Sequence, residues 1–360
     1  MSFADLIART AVLDLPMAEI EKKKRSALSE GDRLLGNTEA GIYVLSIYPL
    51  GRQRCFMARF EGEKRFAIAS KSAFDGPLKA PLQEENGIFF QAVVPGVEHL
   101  AVVQELLPFT KPVSLRERVT TIGMGDRLGV ASAGHIRSAR KFHVSPVLAQ
   151  QSIRELDMSQ RTFGAVVADA AFLVLQEGFE DGWGADGDHL KNLPSIDRAL
   201  AQAMPMITLD LTEVMRPEGA DFAADQVDAE FAKLPEAEQA RIDADYSGKT
   251  YSVGRFSLTL TKLEARRCAV MYGPALDFAE EVDRYLRKHR GDQYDLEISI
   301  DETTTPTLPE HHYFFARELF HRNVTVNSLA PRFIGDFQKA IDYIGDLGDF
   351  EAQFEIHAEI

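Results

Sequence analysis

Hydrophobic and polar residues alternate along three stretches near the N-terminus, a pattern typical of β-strands. The stretches are GIYVLSIYPL from Gly41, QRCFMARF from Gln53 and NGIFFQAVVPG from Asn86. Together with an amphipathic helix near the start of the chain, they predict a small antiparallel sheet with helical cover. Pro108 and Pro112 interrupt the pattern in LLPFTKPVSL, so we expect a small α+β N-terminal domain over residues 1–112.

From Val113 onward, short apolar stretches alternate with longer segments of helical periodicity. The stretches that predict strands are VTTIGMG, HVSPVLAQ, WGADGD, MITLDL, LEISIDE and VTVNSLAP. This alternation predicts parallel strands joined by crossover helices, with polar residues at the C-terminal ends of the strands. We therefore expect the α/β fold class, with a (β/α)8 TIM-type barrel lacking its last strands over residues 113–360 and a helical insertion around residues 215–250.

The helical segments extend to the end of the chain. AEFAKLPEAEQARIDADY predicts one long helix, and DFQKAIDYIGD predicts another after the sixth strand. The chain ends within FEAQFEIHAEI, which has the pattern of an amphipathic helix. Because a closed barrel leaves no open edge and six strands leave two, we expect a C-terminally truncated version of a longer protein.

Composition restricts the classes of partner. Hydrophobic residues make up 45% of the 360 positions, and 55 acidic against 40 basic residues give a formal net charge of -15. This charge disfavours nucleic acid and anionic membranes as partners, and no apolar run reaches the roughly 18 residues of a membrane span. With an acidic N-terminus and only Cys55 and Cys268 as cysteines, we expect a cytoplasmic protein. Oligomerisation stays open but has no support in the sequence.

The first strand end carries TIGMGDRLG, which begins at Thr121. Gly123 and Gly125 suggest a dinucleotide fingerprint, but Leu128 occupies the position of the third glycine, so the fingerprint fails. Asp126 and Arg127 remain as side chains that can contact the hydroxyls or carboxylate of a substrate, unless they form only a surface turn. The motifs of serine hydrolases, P-loop NTPases and zinc peptidases are absent from the sequence.

The next strand ends in AQQSIREL, with two amides and a hydroxyl at the junction with a helix. Gln150 and Gln151 suit a polyhydroxylated ligand. Ser152 fits the same role, but Ser152 and Glu155 also fit a capping box, which is the stronger interpretation for the serine.

The third strand runs into GADGDHLKNL, the densest group of polar residues in the chain. Asp186, Asp188 and His189 are suitable ligands for a divalent metal ion, and Lys191 can neutralise an anionic substrate. The alternative is a polar turn, because one His-Asp pair alone is a weak metal signal.

Two later strand ends complete the set of candidates. Glu302 follows Asp301 in EISIDET and would reach the same rim as His189 if both strands belong to one barrel. Arg332 follows the sixth strand, where a fixed cation suits a carboxylated sugar. His312 is a weaker candidate, because histidines beside aromatic residues on a helix more often serve packing.

Together, IGMGDRLGVASAGH, PVLAQQSIREL, GADGDHLK, ISIDET and LAPRFIGDFQKAIDYIGD resemble the tagaturonate epimerase family, from about Thr120 to the last residue. The resemblance implies an isomerase that interconverts tagaturonate and fructuronate, two ketohexuronates, with a divalent metal ion that the sequence does not fix among nickel, zinc, manganese and cobalt. Members of the family continue past the final helix of this chain, through a strand bearing a histidine that would be a further metal ligand.

The resemblance also implies roles for the candidate residues. The metal ligands would be His189 and Glu302. Asp188 would be a catalytic residue that is itself a ligand of the metal or lies next to the ligands. The other roles would be proton transfer by Asp126 or Asp186 and substrate binding by Arg127, Gln151, Lys191 and Arg332. The stereocentre that changes is two carbons from the ketone, so direct proton abstraction fails. Transient oxidation by a bound nicotinamide and retro-aldol cleavage with re-addition remain, and the failed dinucleotide fingerprint favours the retro-aldol route. The alternatives are a metal-dependent sugar aldolase or isomerase on the same barrel, and a catalytically inactive truncated barrel.

Overall fold

The structure is a computed structural model that describes residues 1–31, 33–301, 305–337 and 341–360. The chain forms two compact units. Unit 1 comprises residues 1–187 and 198–205, and unit 2 comprises residues 188–197 and 206–360. The domain boundary that the sequence suggests near residue 112 stays a prediction.

An antiparallel sheet forms the N-terminal part of unit 1. Its strands are β1 Leu34–Gly36, β2 Gly41–Tyr43, β3 Tyr48–Leu50, β4 Gln53–Phe60, β5 Glu63–Ser70, β6 Gln83–Glu85 and β7 Ile88–Val93. The strand order is β1-β2-β4-β5-β7-β6, and β3 pairs with β4. Every pair is antiparallel, which confirms the sheet predicted from the alternating pattern.

Six α-helices lie within the described residues of unit 1. They are α1 Phe3–Thr10, α2 Met17–Glu30, α3 Val97–Leu106, α4 Ser132–Phe142, α5 Ile153–Ser159 and α6 Phe163–Glu177. The first begins at Ser2, whose hydroxyl accepts from the backbone N–H of Asp5 while the Asp5 carboxylate accepts from the backbone N–H of Ser2. Helix α6 is mostly apolar and nearly all of its residues are buried, which is the pattern of a buried helix.

Both faces of the antiparallel sheet are covered by helices. On one face, Phe3 and Leu6 of α1 pack with Phe56 of β4. On the other face, Phe172 of α6 packs with Met57 and with other buried side chains of the sheet. Because neighbouring residues of a strand point to opposite faces, the run around Phe56 and Met57 is apolar throughout and forms two cores.

A second sheet follows in the chain, with a hairpin between its fourth and fifth strands. The strands are β8 Thr121–Gly123, β9 Ser145–Ser152, β10 Gly184–Leu190, β11 Met206–Asp210, β12 Lys249–Val253, β13 Phe256–Leu260, β14 Asp295–Ile300 and β15 Ser328–Pro331. The order of the six-stranded sheet is β15-β14-β11-β10-β9-β8, and β12 pairs only with β13. The pairs β8–β9, β11–β14 and β14–β15 are parallel. All six predicted strands are present, so the mixed α/β class with a parallel sheet is confirmed.

The helices of the second half are α7 Leu193–Leu200, α8 Ala224–Phe231, α9 Glu236–Asp245, α10 Lys262–Arg290, α11 Pro309–His321 and α12 Leu347–Glu359. The single helix predicted over residues 229–246 is wrong, because Pro235 separates α8 from α9. A proline lacks the N–H that a helix interior needs, but it is well tolerated where a helix begins.

The helix predicted for DFQKAIDYIGD is also wrong for its described residues. Asp336 and Ile344 instead form an antiparallel bridge with two backbone hydrogen bonds of 2.9 and 3.2 Å. The ring of Tyr343 lies 5.0 Å from that of Phe337, so these two side chains pack on each other. The predicted final amphipathic helix is present as α12.

Among the residues that the structure describes, no helix combines the length and apolar character needed to cross a membrane.

Candidate active site

Asp126 lies in the loop between β8 and α4 of unit 1, and its side chain is 5% exposed. The carboxylate accepts hydrogen bonds from the backbone N–H groups of Val130, Ala131 and Ser132 and from the Ser132 hydroxyl, at 2.7 to 3.0 Å. Burial by itself would raise the pKa of Asp126, but these hydrogen bonds outweigh it and hold the pKa below its ordinary value. The carboxylate therefore fixes the loop and the start of α4, and it is a weak proton acceptor.

Arg127 and Gln151 are held by neighbours within unit 1. The Arg127 Nε donates to the Glu155 carboxylate at 2.6 Å, with the guanidinium partly exposed. Gln151 is fully buried and its Nε2 donates to the hydroxyl of Ser159 at 3.2 Å. Their predicted roles in substrate binding stay predictions.

Ser152 caps α5, as the stronger sequence interpretation predicts. Its hydroxyl accepts from the backbone N–H of Glu155 at 3.3 Å, and the Glu155 carboxylate accepts from the backbone N–H of Ser152. The serine at this strand end is thus accounted for by helix capping.

Asp186 lies on β10 with an exposed fraction of 0%. Its Oδ2 accepts a hydrogen bond from Gln150 Nε2 at 3.0 Å. The same glutamine lies close to the last residue of β8, because a Cβ on Gly123 would lie 2.4 Å from Gln150 Oε1. Gly123 therefore permits the close approach of Gln150, which agrees with the failed dinucleotide fingerprint.

Strand β10 continues into unit 2, where Asp188 and His189 stand at its end. His189 has a backbone φ of +51°, a left-handed conformation that is uncommon for a residue other than glycine. Its Nε2 lies 3.8 Å from Asp188 Oδ1, and its Nδ1 lies 3.5 Å from Oδ2 of Asp210. Strained backbone at a strand end with two flanking carboxylates is a feature typical of functional sites.

Asp210, at the end of β11, is the residue of unit 2 that sequence reasoning missed. Its carboxylate is 1% exposed and accepts from the backbone N–H and the hydroxyl of Thr212 at 2.9 and 2.6 Å. Burial would raise the pKa of Asp210, but the nearby His189 imidazole, the hydrogen bonds from Thr212 and the charge of Lys191 hold it well below its ordinary value. The signal was present in MITLDL, which places a carboxylate at the end of an apolar strand like the other candidates.

Lys191 follows His189 and is one-third exposed. Its Nζ lies 3.6 Å from Asp210 Oδ2 and 3.5 Å from Oε1 of the exposed Glu213. The cation is therefore held near the end of β11 by acidic groups on its own unit.

The remaining candidates lie further along unit 2. The backbone N–H of Arg332 donates to the Thr307 hydroxyl at 3.0 Å, and the backbone N–H of Thr307 donates to the Arg332 carbonyl at 2.8 Å. Asp301 accepts a hydrogen bond from the hydroxyl of Ser299. Glu302, the second predicted metal ligand, lies outside the described residues.

His312, the weaker candidate, packs in the interior of unit 2. Its Nδ1 lies 2.9 Å from Nδ1 of His357, and both side chains are buried. Burial, with a smaller contribution from His357, lowers the pKa of His312 to about 4. This pair joins α11 to α12, as expected for a packing histidine.

Across residues 1–31, 33–301, 305–337 and 341–360, no group of three or more His, Cys, Asp or Glu side chains is arranged to hold a metal ion. The pair His189 and Asp188 supplies imidazole and carboxylate, the donors that nickel, zinc, manganese and cobalt all accept. Since Glu302 is not among the described residues, the predicted metal site stays a prediction.

The parallel strands carry acidic, basic and imidazole side chains at their C-terminal ends. This arrangement is typical of α/β enzymes, whose active sites lie at the C-terminal ends of the strands. The family sequence model described as tagaturonate epimerase matches residues 43–360. The chain belongs to the tagaturonate epimerase family.

Individual relatives agree with this assignment. A curated tagaturonate/fructuronate epimerase from Thermotoga maritima is 34% identical over 305 residues, which are 85% of this chain and 62% of the relative. A glycerol-complexed crystal structure of fructuronate-tagaturonate epimerase from Cohnella laeviribosi superposes with a TM-score of 0.82 at 36% identity, covering 96% of this chain and 68% of that one. The native crystal structure of the same enzyme gives a TM-score of 0.83 at 36% identity, over 93% and 67% of the two chains. The chain thus spans about three-fifths of the length of its curated relative.

Proposed function

We propose that this chain interconverts tagaturonate and fructuronate. The observation that carries the proposal is family membership across residues 43–360, together with 34 to 36% identity to relatives that are named as epimerases of these two sugars. We also propose that the six-stranded parallel sheet is part of a (β/α)8 barrel. The biological setting that fits this reaction is cytoplasmic hexuronate catabolism.

The chemistry of the substrate limits the mechanism. The inverted carbon lies two bonds from the ketone carbon, so its hydrogen is not acidified by the carbonyl group. We therefore propose a retro-aldol route. A base takes the proton of the hydroxyl on the inverted carbon, and the bond between this carbon and its neighbour on the ketone side breaks. The electron pair of that bond forms an enediolate, and the inverted carbon becomes an aldehyde. Re-addition to the opposite face of the aldehyde restores the bond, and the base returns the proton.

Asp186 is the better of the two predicted acid–base residues. Its Oδ2 accepts a hydrogen bond from the neutral amide of Gln150. The choice rests on Asp126, whose carboxylate is surrounded by four donors that stabilise its charged form and weaken it as a base. We accordingly assign proton transfer to Asp186 and loop stabilisation to Asp126.

Binding of the substrate carboxylate requires cations and amides. We propose Lys191 for this role, because its ammonium group is partly exposed and lies near a strand end. Arg127 and Arg332 are further guanidinium candidates, and Gln151 is a further amide candidate.

A divalent metal ion fits the donor chemistry at the end of β10. His189 would supply Nε2, and Asp188 and Glu302 would supply carboxylate oxygens. When bound, such an ion would stabilise negative charge on substrate oxygens. We propose this metal dependence without choosing among nickel, zinc, manganese and cobalt.

The experiment that tests the proposed function is a product assay. The purified chain is incubated with tagaturonate after removal of metals and again with each of the four divalent metals. Fructuronate that forms only with added metal supports the proposal. Three-carbon products that accumulate instead indicate a metal-dependent aldolase, and a different ketohexose acid indicates another isomerase. If substrate is unchanged under all conditions, this chain is an inactive barrel.

A further inference from the structure

A cavity of about 270 Å³ lies within unit 1, between the connection from α1 to α2 and one end of the antiparallel sheet. Leu13 and Met17 line it from the helical side. The other lining residues are Pro49 and 51–54, around the turn between β3 and β4, and 70–72, at the end of β5. None of these residues belongs to the candidate active site.

The charged side chains that line this cavity are all cationic. They are Arg52, Arg54 and Lys71, and none of the described lining residues is acidic. The cavity thus has the opposite sign to the whole chain, in which 55 acidic residues outnumber 40 basic ones. A concave surface with charge of one sign favours a ligand of the other sign, here an anion.

Two of the three cations have partners in the protein. Arg54 donates through Nη2 to the Leu15 carbonyl at 2.6 Å and through Nη1 to the Val12 carbonyl, so it fastens the α1–α2 connection to β4. Lys71 pairs with Asp14, but these side chains are 59% and 60% exposed, so the ion pair is weak. An anion can therefore compete with Asp14 for Lys71, whereas Arg54 shapes the cavity.

Arg52 and Ser70 offer donors that the described residues leave unused. The exposed Arg52 guanidinium has no ion pair or hydrogen bond with any residue that the structure describes. Ser70 is only 3% exposed, and its hydroxyl accepts from the backbone N–H of Ser72 at 3.1 Å, while no described acceptor takes the hydroxyl hydrogen. A guanidinium and a buried hydroxyl on one cavity are suitable donors for an oxyanion.

We propose that this cavity binds a small oxyanion of the phosphate class, as free phosphate or as a phosphate monoester. Arg52 and Lys71 supply the positive charge, and the Ser70 hydroxyl supplies a neutral donor. Two cations favour a dianion over a monocarboxylate. The volume lies below the roughly 300–1,000 Å³ of pockets for drug-sized ligands, which favours a compact ligand. The inference is independent of the proposed function, because it uses no residue of that site.

The test is isothermal titration calorimetry of the purified chain with inorganic phosphate, glycerol 3-phosphate and glucuronate in turn, at an ionic strength held constant with sodium chloride. We expect a Kd of about 1 mM or tighter for at least one of the two phosphate compounds. The compound that binds more tightly distinguishes free phosphate from a monoester. Glucuronate, a monocarboxylate, should bind more weakly than both.

Single-charge variants locate the binding site. Arg52→Gln and Lys71→Gln should each weaken phosphate binding about 10-fold, because each removes a charged donor. Arg25→Gln and Lys79→Gln are the matched controls, since both residues are exposed and neither lines the cavity, and they should change the Kd by less than about twofold.

Asp14→Asn should have the opposite effect. It removes the carboxylate that competes for Lys71, so phosphate should bind about threefold more tightly.

A Kd above about 1 mM for both phosphate compounds would overturn the proposal, and this result needs no variant. Tighter binding of glucuronate than of phosphate would also overturn it, as would equal weakening by the cavity variants and their controls. Because no readout uses epimerase activity, an inactive chain that binds phosphate as expected would refute the proposed function and leave this site intact.

Discussion

Asp126 and Asp186 show how two similar sequence positions receive different roles from their surroundings. Both lie next to a glycine near a strand end, and the sequence offers no means of ranking them as acid–base residues. The structure bears on the ranking through Asp126, because four donors converge on its carboxylate and weaken it as a base. Residue type is thus readable from sequence, but the number of donors around a carboxylate depends on backbone geometry.

This contrast predicts opposite effects of two isosteric substitutions. Asp186→Asn should lower kcat about 100- to 1000-fold with an unchanged denaturation midpoint, because it removes the proposed base. Asp126→Asn should lower the free energy of unfolding by about 2 kcal/mol, because an amide cannot accept all the hydrogen bonds that the carboxylate accepts. Activity assays and urea denaturation measure the two quantities.

The exposed Asp181 and Arg127 supply the controls. Asp181→Asn should leave kcat unchanged, and Arg127→Ala should change the free energy of unfolding by about 0.5 kcal/mol or less, because its ion pair with Glu155 is partly exposed. Activity of Asp186→Asn within threefold of the unmodified chain would remove Asp186 from the proposed mechanism.

At the level of helices and strands, all six strands of the parallel sheet follow from short apolar runs with polar ends. The pattern fails where local chemistry overrides periodicity. Pro235 divides one predicted helix into α8 and α9, and a bridge between Asp336 and Ile344 takes the place of another in its described residues. Both segments have the residue spacing of a helix. The first contains a proline, which lacks the backbone N–H that a helix interior needs, and in the second two aromatic rings pack on each other.

The contact between α11 and α12 predicts a pH-dependent stability. The pKa of His312 is lowered from an ordinary 6.5 to about 4, so the unfolded chain binds more protons than the folded chain between these values. The free energy of unfolding should therefore be highest above pH 6.5 and fall by up to about 3 kcal/mol as the pH decreases toward 4. Urea denaturation at a series of pH values measures this.

His312→Leu should flatten this part of the pH profile, since it removes the group whose titration opposes folding. His289→Gln is the control, because His289 is exposed on α10 and should leave the profile unchanged. A profile of His312→Leu that is parallel to that of the unmodified chain would contradict the assignment.

A side chain at Gly178, the residue after the end of α6, is expected to clash with its neighbours. Gly178 has a φ of +55°, and a Cβ there would lie 2.5 Å from the Leu45 carbonyl oxygen. Gly178→Ala should therefore lower the free energy of unfolding by about 2 to 4 kcal/mol. Gly248→Ala, at a φ of +70° with no atom within 4 Å, should cost only about 1 kcal/mol, because only the backbone conformation is penalised. Equal losses in thermal or urea denaturation would show that the contact with Leu45 is unimportant.

For the molecule as a whole, the sequence predicts the α/β class and the family, because strand periodicity and clustered motifs are local features. Asp210 was missed for the opposite reason: its contacts with His189 and Thr212 depend on where β11 ends and how Thr212 folds back on it. The net charge of -15 is compatible with the proposed small-molecule substrate, for which Lys191 is the proposed local cation.

Proton NMR of tagaturonate in D₂O, with the metal-loaded chain, tests the proposed reaction and its mechanism together. The retro-aldol route keeps the original hydrogen on the inverted carbon throughout, because that carbon becomes an aldehyde and never loses its hydrogen to solvent. We predict that fructuronate signals appear with this position still carrying protium. Deuterium at the inverted carbon would contradict the mechanism, and the absence of fructuronate with every one of the four metals would contradict the proposed activity.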